Sequence, residues 1–351
     1  MKFALALIIG SLLTLLTLVG LRRSADKLGL FDLPGGHKTH TGSVPIVGGI
    51  AIWLGFLASV AAVSPDQSVG SVIPLAILVI AILGVIDDRI TVSPVVRLTI
   101  QFSTVAALII FDAIAPTYLG APFGGDDTVI TSNTVALLLG VILVAGMINA
   151  FNMADGMDGL AGSLGLVSLG AVGFVAWRSG DEGLVTMAAL LMPILIVFLI
   201  FNAPLGVNQK LRTFMGDCGS MTLGLFVGWA LLRMSQNPEA VVAPVTLLWF
   251  VAVPIFDMVH VIVGRVVNRR SPFNPDRSHF HHVLQGAGLS PRGSLGVLIA
   301  AAIVLAVLGS ALEQRLAVTD STSLSLFVLI GVLVSGFMRW LDRPASTGPA
   351  R

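Results

Sequence analysis

Charge and cysteine are both scarce in this 351-residue chain. Only 11% of its residues are Asp, Glu, Lys or Arg, whereas a typical soluble domain has about 25%. A soluble chain of this length would need much more polar surface to cover its core, so a soluble enzyme and a disordered chain are excluded. The single cysteine, Cys218, excludes an intrachain disulfide and therefore a disulfide-stapled secreted protein.

The chain instead has long apolar runs, with 55% apolar residues and a mean hydropathy of +0.95. A bilayer core of roughly 30 Å needs about 20 such residues of helix. Continuous runs also exclude a β-barrel, whose strands alternate. The sequence predicts one all-α polytopic membrane domain over 1–351. Its eleven predicted spans are Phe3–Leu21, Val44–Val63, Val69–Ile86, Val96–Ala115, Asn133–Ala150, Gly159–Trp177, Gly183–Phe201, Asp217–Leu232, Val241–Val263, Ser294–Ala311 and Ser323–Trp340.

The distribution of positive charge predicts the orientation. The first run is longer than the roughly 7–15 residues of a signal peptide, so we expect an uncleaved helix. Of the 20 Lys and Arg residues, 16 lie in or beside the loops after odd-numbered spans, or in the C-terminal tail. The other four are Lys2, Arg178, Arg233 and Arg315. Because Lys and Arg favour cytoplasmic loops, the N-terminus is predicted to be periplasmic and the C-terminus cytoplasmic.

Nearly every unusual polar cluster falls on the predicted cytoplasmic side. These clusters occupy the loops 22–43, 87–95, 149–159, 202–220 and 264–292, which also hold five of the six histidines. Charges within or beside membrane spans are costly and call for a functional reason. The topology therefore predicts one site built from segments that are far apart in sequence.

Each cluster also has an ordinary structural interpretation. Asp87 and Asp88 could be a solvated helix end, Asp155 and Asp158 could cap a glycine turn, and Asp217 could cap the eighth span. The histidines could be loop residues or zinc ligands, although no cysteine pair accompanies them. Five carboxylates facing several cations at one membrane face together favour a bound ligand.

These residue types suit phosphate chemistry. Carboxylate oxygens favour Mg²⁺ or Mn²⁺, and Mg²⁺ usually takes one or two carboxylates and leaves other positions to water and phosphates. Glycine loops let backbone N–H groups approach a diphosphate, and Arg, Lys and protonated His offset its charge. The residues alone predict metal-dependent phosphate transfer between a soluble substrate and a lipid.

Five motifs in this order closely resemble those of the polyprenyl-phosphate N-acetylhexosamine-1-phosphate transferases, and the resemblance extends over most of the chain. They are the segments 28–49, 87–89, 149–159, 214–220 and 271–282. The resemblance implies that N-acetylglucosamine 1-phosphate passes from UDP-GlcNAc to undecaprenyl phosphate, with release of UMP and a need for Mg²⁺ or Mn²⁺.

The same resemblance implies a location and partners. The protein would be a multi-pass protein of the bacterial inner membrane with its active site on the cytoplasmic face, where it starts an O-antigen or related surface polysaccharide. Membrane lipid is an expected partner, nucleic acid is not, and a homodimer is the assembly to consider.

The resemblance also implies roles for individual residues. Asp217 matches the metal ligand. Asp87 and Asp88 match an acidic pair, one of which contacts or deprotonates the lipid phosphate. Phe214 matches an aromatic residue that stacks on uracil, and His279 is grouped with the catalytic residues. The other expected substrate-binding residues fall into two sets. A loop near the metal, nucleotide and sugar phosphate is matched by Asn152, Asp155 and Asp158. Cationic positions near the phosphates and sugar are matched by Lys38, Arg265, Arg277, His281 and His282, and by His279.

The sequence departs from the fuller family pattern at two positions. Thr91 stands where many relatives have a further carboxylate or related polar group, and Cys218 stands where many have a small residue. Neither is given a ligand or nucleophile role. Asp87 and Asp88 would point about 100° apart on a helix, so we expect them to differ in role. Direct displacement is favoured over a covalent aspartyl-phosphate, because it needs only positioning, a base and charge stabilisation.

Several alternatives stay open from the sequence. The histidine loop 279–282 favours the N-acetylglucosamine branch, with N-acetylgalactosamine or phospho-MurNAc-pentapeptide as other donors. A transporter of a phosphorylated solute would instead place its charges near the midplane on broken helices. A lipid-binding scaffold without catalysis would not need five acidic positions.

Overall fold

The computed structural model describes residues 2–32, 43–63, 72–204, 211–271 and 277–342. Within these ranges helices are joined by irregular segments such as 113–132, and the one strand pair is a short antiparallel ribbon in which β1 (Phe31–Asp32) pairs with β2 (Val44–Pro45). The helices are α1 (Lys2–Leu28), α2 (Gly48–Ala62), α3 (Ile73–Ile90), α4 (Pro94–Asp112), α5 (Asn133–Ala154), α6 (Leu160–Arg178), α7 (Glu182–Asn202), α8 (Gly216–Ser235), α9 (Pro244–Trp249), α10 (Ala252–Val267), α11 (Phe280–Gly286), α12 (Pro291–Gln314) and α13 (Asp320–Leu341).

Each predicted span overlaps a helix, which confirms the all-α membrane class. In the described part of the chain, seven helices are long and apolar enough to cross a membrane, namely α1, α4, α5, α6, α7, α12 and α13. The predicted ninth span differs from the expectation, because it is divided into α9 and α10 around Phe250 and Val251. Pro254 explains the break, since it has no N–H to donate to the carbonyl of Phe250, four residues earlier, and its ring clashes with that carbonyl.

Helix α8 lies at the centre of the bundle and packs against α2, α3, α5 and α6. Every residue from Cys218 to Ala230 is buried. Glycines bring the backbones together: Gly49 of α2 and Gly84 of α3 lie against the first turn of α8, and Gly224 of α8 lies against Met147 of α5. Close packing through small residues is the usual way in which membrane helices associate.

The segments before α2 and α8 are also joined by backbone hydrogen bonds. The N–H of Phe214 donates to the carbonyl of Pro45 at 2.8 Å, and the N–H of Gly48 donates to the carbonyl of Phe214 at 2.9 Å. The N–H of Gly49 donates to the carbonyl of Met215, also at 2.9 Å. These bonds fix the start of α8 beside the start of α2, although 168 residues separate Pro45 from Thr213, whose hydroxyl donates to the same carbonyl.

The contact at Gly84 predicts a strong packing effect. A methyl group at Gly84 would overlap backbone atoms of Asp217 and Cys218, whereas one at Gly146 of α5 would meet nothing within 4 Å. We expect Gly84→Ala to cost about 1–3 kcal/mol of stability, because two backbones must separate. Gly146→Ala is the matched control and should be neutral or stabilising. Melting curves of the detergent-purified variants measure the difference, and equal melting temperatures would contradict it.

Candidate active site

Three helix ends meet where carboxylates accept the first backbone N–H groups of α8. Asp88, in the last turn of α3, accepts from the N–H of Asp217 at 2.8 Å and from that of Cys218 at 3.2 Å. Asp155, which follows α5, accepts from the N–H of Gly216. The first N–H groups of a helix have no partner within the helix, and negative charge is favourable beside them. Side chains from α3 and from the end of α5 therefore fix the position of α8.

Glycine is required at position 216. Its φ of +70° lies in the left-handed region, and an added Cβ would lie 2.6 Å from a carboxylate oxygen of Asp88. This close approach lets Asp88 and Asp155 reach the start of the helix. Asp217 itself therefore does not cap α8, as an ordinary structural interpretation of the sequence allowed. The carboxylates of Asp88 and Asp155 cap the helix instead.

The Asp217 side chain lies within this junction. Its carboxylate accepts from the Asn152 amide at 2.7 Å and lies within hydrogen-bonding distance of the Asp87 carboxylate. The Asn152 amide also lies 3.2 Å from the Ser220 hydroxyl. The structure therefore brings together five expected site residues, which are Asp87, Asp88, Asn152, Asp155 and Asp217.

Asp87 and Asp88 have different partners, as their angular separation on a helix predicts. Asp87 accepts from the backbone N–H of Val92 at 2.6 Å and pairs with the Arg97 guanidinium at 3.2 Å. Asp88 faces the start of α8 instead. Arg97 was not among the expected site residues, because its position after the third span matched an ordinary cytoplasmic anchor.

The crowding of carboxylates is costly without a cation. Desolvation raises the pKa of Asp155 well above its ordinary value, and the charges of Asp217, Asp88 and Asp158 raise it further. The hydrogen bond from the Gly216 N–H opposes these effects. Like charges held this close destabilise one another unless a proton or a metal ion is shared.

The donor set suits a hard metal ion. In the part of the chain that the structure describes, no three His, Cys, Asp or Glu side chains are placed to hold a metal ion together. Asp217 and Asp87 nevertheless place carboxylate oxygens side by side. Because Mg²⁺ usually takes only one or two carboxylates and completes its shell with water and phosphate, this pair is an adequate donor set.

A second group of residues surrounds Phe214. The Arg212 guanidinium lies 5.0 Å from the centre of the Phe214 ring and pairs with the Asp158 carboxylate at 2.5 Å. Asp158 belongs to the loop 155–159. Asn202 fixes the end of this loop, because its side-chain oxygen accepts from the N–H of Gly159 at 2.7 Å. The loop 155–159 thus connects the carboxylate cluster, through Asp155, with Arg212, which lies over the aromatic ring. The sequence does not single out Arg212, because it is one of the positive charges in the loop 202–220, on the predicted cytoplasmic side.

The histidines form a third group beside this loop. His279 lies 2.8 Å from Asp257, and its ring stacks on His281 with the ring centres 5.7 Å apart. The rings of His281 and His282 have centres 4.2 Å apart. A Cβ at Gly156 would lie 2.6 Å from the His281 ring, so this histidine packs directly against the loop 155–159.

His281 differs from the cationic role that was expected of it. It is only 2% exposed. Burial, with a smaller contribution from the charge of His282, lowers the pKa of His281 to about 3. The ring is therefore neutral at pH 7, and a packing or hydrogen-bonding role suits it better than charge compensation.

The remaining expected residues are less closely grouped. Arg265 is buried near the end of α10, Arg277 is exposed, and His282 is half-buried. Lys38 lies outside the described residues. Asp257 and His260 were missed because they interrupt an apolar span. Their spacing with Arg265 along one buried helix face was a usable signal.

Comparison with known proteins places these features in a family. The model of glycosyl transferase family 4 matches residues 71–235. The chain is 34% identical over 319 residues to the undecaprenyl-phosphate alpha-N-acetylglucosaminyl 1-phosphate transferase of Escherichia coli K12, covering 91% of this chain and 86% of the relative. Enzymes with the same name from Salmonella typhi and Pasteurella multocida are each 32% identical, over 88% and 87% of this chain and 83% and 85% of their own lengths.

Identity at this level over most of both chains shows the family. The helix ends that hold the carboxylates of α3, α5 and α8 fall within the matched segment 71–235. The protein therefore belongs to glycosyl transferase family 4, with the polyprenyl-phosphate N-acetylhexosamine-1-phosphate transferases whose motifs its sequence contains.

Proposed function

We propose that the protein transfers N-acetylglucosamine 1-phosphate from UDP-GlcNAc to undecaprenyl phosphate. An oxygen of the lipid phosphate bonds to the sugar-linked phosphorus, and the bond from that phosphorus to the bridging oxygen breaks. The products are undecaprenyl-diphospho-GlcNAc and UMP, and the product lipid begins an O-antigen or related surface polysaccharide. The names of the relatives support this reaction.

The observation that carries the proposal is the junction of Asp87, Asp88, Asp155 and Asp217 at three helix ends. Such a cluster would be held together by Mg²⁺ or Mn²⁺ on Asp217, with Asp87 beside it. The metal would offset the charge of the diphosphate as the bond to UMP breaks. Asn152 orients Asp217 through its hydrogen bond, and Asp88 fixes the helix that carries it.

Direct attack by the lipid phosphate is the simpler mechanism for this arrangement. Asp88 accepts two backbone N–H groups, and Asp87 accepts one and pairs with Arg97. Carboxylates held this firmly are poor nucleophiles and good positioning groups. Trapping of an aspartyl-phosphate after incubation with UDP-GlcNAc alone would contradict direct attack.

The soluble substrate would bind on the other side of the loop 155–159. Phe214 offers a ring for uracil, and Arg212 lies between that ring and Asp158 as a cation for the diphosphate. The sugar and the phosphates would be bound by His279, His282, Arg265 and Arg277. Lys38 is proposed for the same role from the sequence alone. A transporter is not favoured, because the carboxylates collect at helix ends.

We further propose eleven spans in the bacterial inner membrane, with the active site on the cytoplasmic face. The six-residue α9 and the longer α10 together would form the ninth span. Arg233 pairs with Asp181 at 2.8 Å, at the end of α8 opposite the carboxylate cluster. This separation of charged groups supports a cytoplasmic and a periplasmic end.

The metal proposal predicts a large effect of Asp217→Asn. Removal of the charge should lower transfer by about 100-fold or more, because the diphosphate loses its stabilising cation. The measurement is transfer of radiolabel from UDP-GlcNAc to lipid in membranes, with Mg²⁺, with EDTA, and with Mg²⁺ restored. Asp181→Asn is a matched control at the opposite helix end and should stay near wild type. Full activity in EDTA would contradict the metal, and incorporation from UDP-GalNAc alone would contradict the donor.

Substitutions in the acidic pair should have different effects, one on Mg²⁺ affinity and the other on the stability of the protein. Asp87→Asn should raise the Mg²⁺ concentration for half-maximal activity, since Asp87 lies beside Asp217. Asp88→Asn should also lower the melting temperature, because its new NH₂ group faces a helix N–H and costs about 1–3 kcal/mol. Magnesium titrations and melting curves of both purified variants test this, and indistinguishable defects would contradict it.

The orientation predicts which loops are reached from outside. Ala287 and Thr131 are both exposed, at the two predicted sides. On a Cys218→Ser background, a membrane-impermeant maleimide should label Thr131→Cys in spheroplasts and should label Ala287→Cys only after lysis. Labelling of Ala287→Cys in intact spheroplasts would reverse the topology.

A further inference from the structure

Asp257 is a buried acidic residue of α10 that the reaction described above does not use. Its side chain is 8% exposed, and it lies in a helix whose only other polar side chains are His260 and Arg265. A buried carboxylate in such a segment is costly unless its oxygens are paired. The partners of Asp257 therefore indicate why it is there.

Both carboxylate oxygens of Asp257 are engaged by the histidine loop. One lies 2.8 Å from Nδ1 of His279, and the other accepts from the backbone N–H of Phe280 at 2.7 Å. The second bond also satisfies an N–H at the start of α11. Because a carboxylate accepts here, Nδ1 carries the proton, and Nε2 is the nitrogen left for a substrate.

A second histidine, His281, contacts the His279 ring and connects it with the carboxylate cluster. The two rings stack at an interplanar angle of 21°. His281 in turn packs against Gly156, which directly follows Asp155. Asp257, His281 and Ala154 line one small cavity, so α10 and α11 lie against the end of α5. A change in the ring orientation of His279 would therefore occur beside the site.

We propose that Asp257 is a positioning residue that sets the proton arrangement and ring orientation of His279, and thereby aims Nε2 at the sugar diphosphate. The proposal rests on the proposed function. Asp257 touches no substrate and acts only through His279. A carboxylate that orients a histidine through Nδ1 is a recurring device in enzymes.

Asp257→Asn tests the proposal directly, because the hydrogen bonds of residue 257 determine which nitrogen of His279 carries the proton. The N–H of Phe280 requires an acceptor, so the new amide oxygen would take that place and the amide NH₂ would face Nδ1 of His279. Nδ1 must then accept, and the proton moves to Nε2. The substitution keeps the side-chain shape and reverses the tautomer.

The test is a double-mutant cycle on transfer from UDP-GlcNAc. We expect Asp257→Asn to lower kcat/KM by about 10- to 100-fold, by analogy with the loss of a hydrogen-bond partner of a metal-ligating histidine. The loss should divide between kcat and KM as it does in His279→Ala. In the His279→Ala background, Asp257→Asn should have little further effect, because its route of action is gone.

Asp112→Asn is the matched control. The Asp112 carboxylate also bridges two donors, the N–H of Val72 and the indole N–H of Trp229, each at 2.9 Å, at the other end of the bundle. The fold-change in kcat/KM caused by Asp112→Asn should be the same with and without His279→Ala, as expected for two independent substitutions. An equal Asp257→Asn effect with and without His279, or no effect at all, would overturn the proposal.

The remaining outcomes are also decisive. If Asp257→Asn is not recovered from membranes, Asp257→Ala is measured in its place, since it removes the acceptor for His279 and places no new donor against the ring. If both fail to fold while His279→Ala folds normally, Asp257 serves the fold and the proposal is wrong. If the proposed function itself is wrong, the wild-type protein will not transfer label from UDP-GlcNAc, and this result is distinct from any effect of Asp257→Asn.

Discussion

The start of α8 is held by carboxylates from other helices, and the arrangement of the site depends on this. Three successive N–H groups, at residues 216 to 218, donate to Asp155 and Asp88. The polar ends of α3, α5 and α8 are thereby joined by direct hydrogen bonds. Asp217 then projects into the same junction, where Asn152 orients it. Structural capping and the chemistry of the site use the same charges.

The residues that the sequence could predict are those that are unusual for where they occur. Asp87, Asp155 and Asp217 stand at the ends of apolar runs, and a topology drawn from Lys and Arg alone places them at one face. The structure places Asp87 directly beside Asp217, and Asp155 at the start of the helix that carries Asp217. The helical class follows from the same apolar runs. The break in the ninth span does not, because the hydropathy of Val241–Val263 continues across it and only Pro254 marks the place.

Other residues could not be predicted because their role depends on tertiary contacts. Arg97 and Arg212 resemble ordinary cytoplasmic anchors until their partners, Asp87 and Asp158, are seen. Asp257 has no neighbour in sequence that indicates a function, and its partner His279 is 22 residues away. The opposite case is His281, whose type suggested a cation but whose burial makes it neutral. Residue type predicts the chemistry, and burial decides which protonation state is present.

The central position of α8 has a consequence for how the protein enters the bilayer. α8 is not among the seven helices that are apolar enough to cross on their own, yet it is buried by protein from Cys218 to Ala230. Glycines and hydroxyl groups that favour contact with neighbouring helices weaken its partition into lipid. Its partners α2, α3, α5 and α6 all precede it in the chain. During synthesis on the ribosome, α8 therefore emerges after the helices against which it packs most extensively, so its buried surface can be covered as soon as it is made.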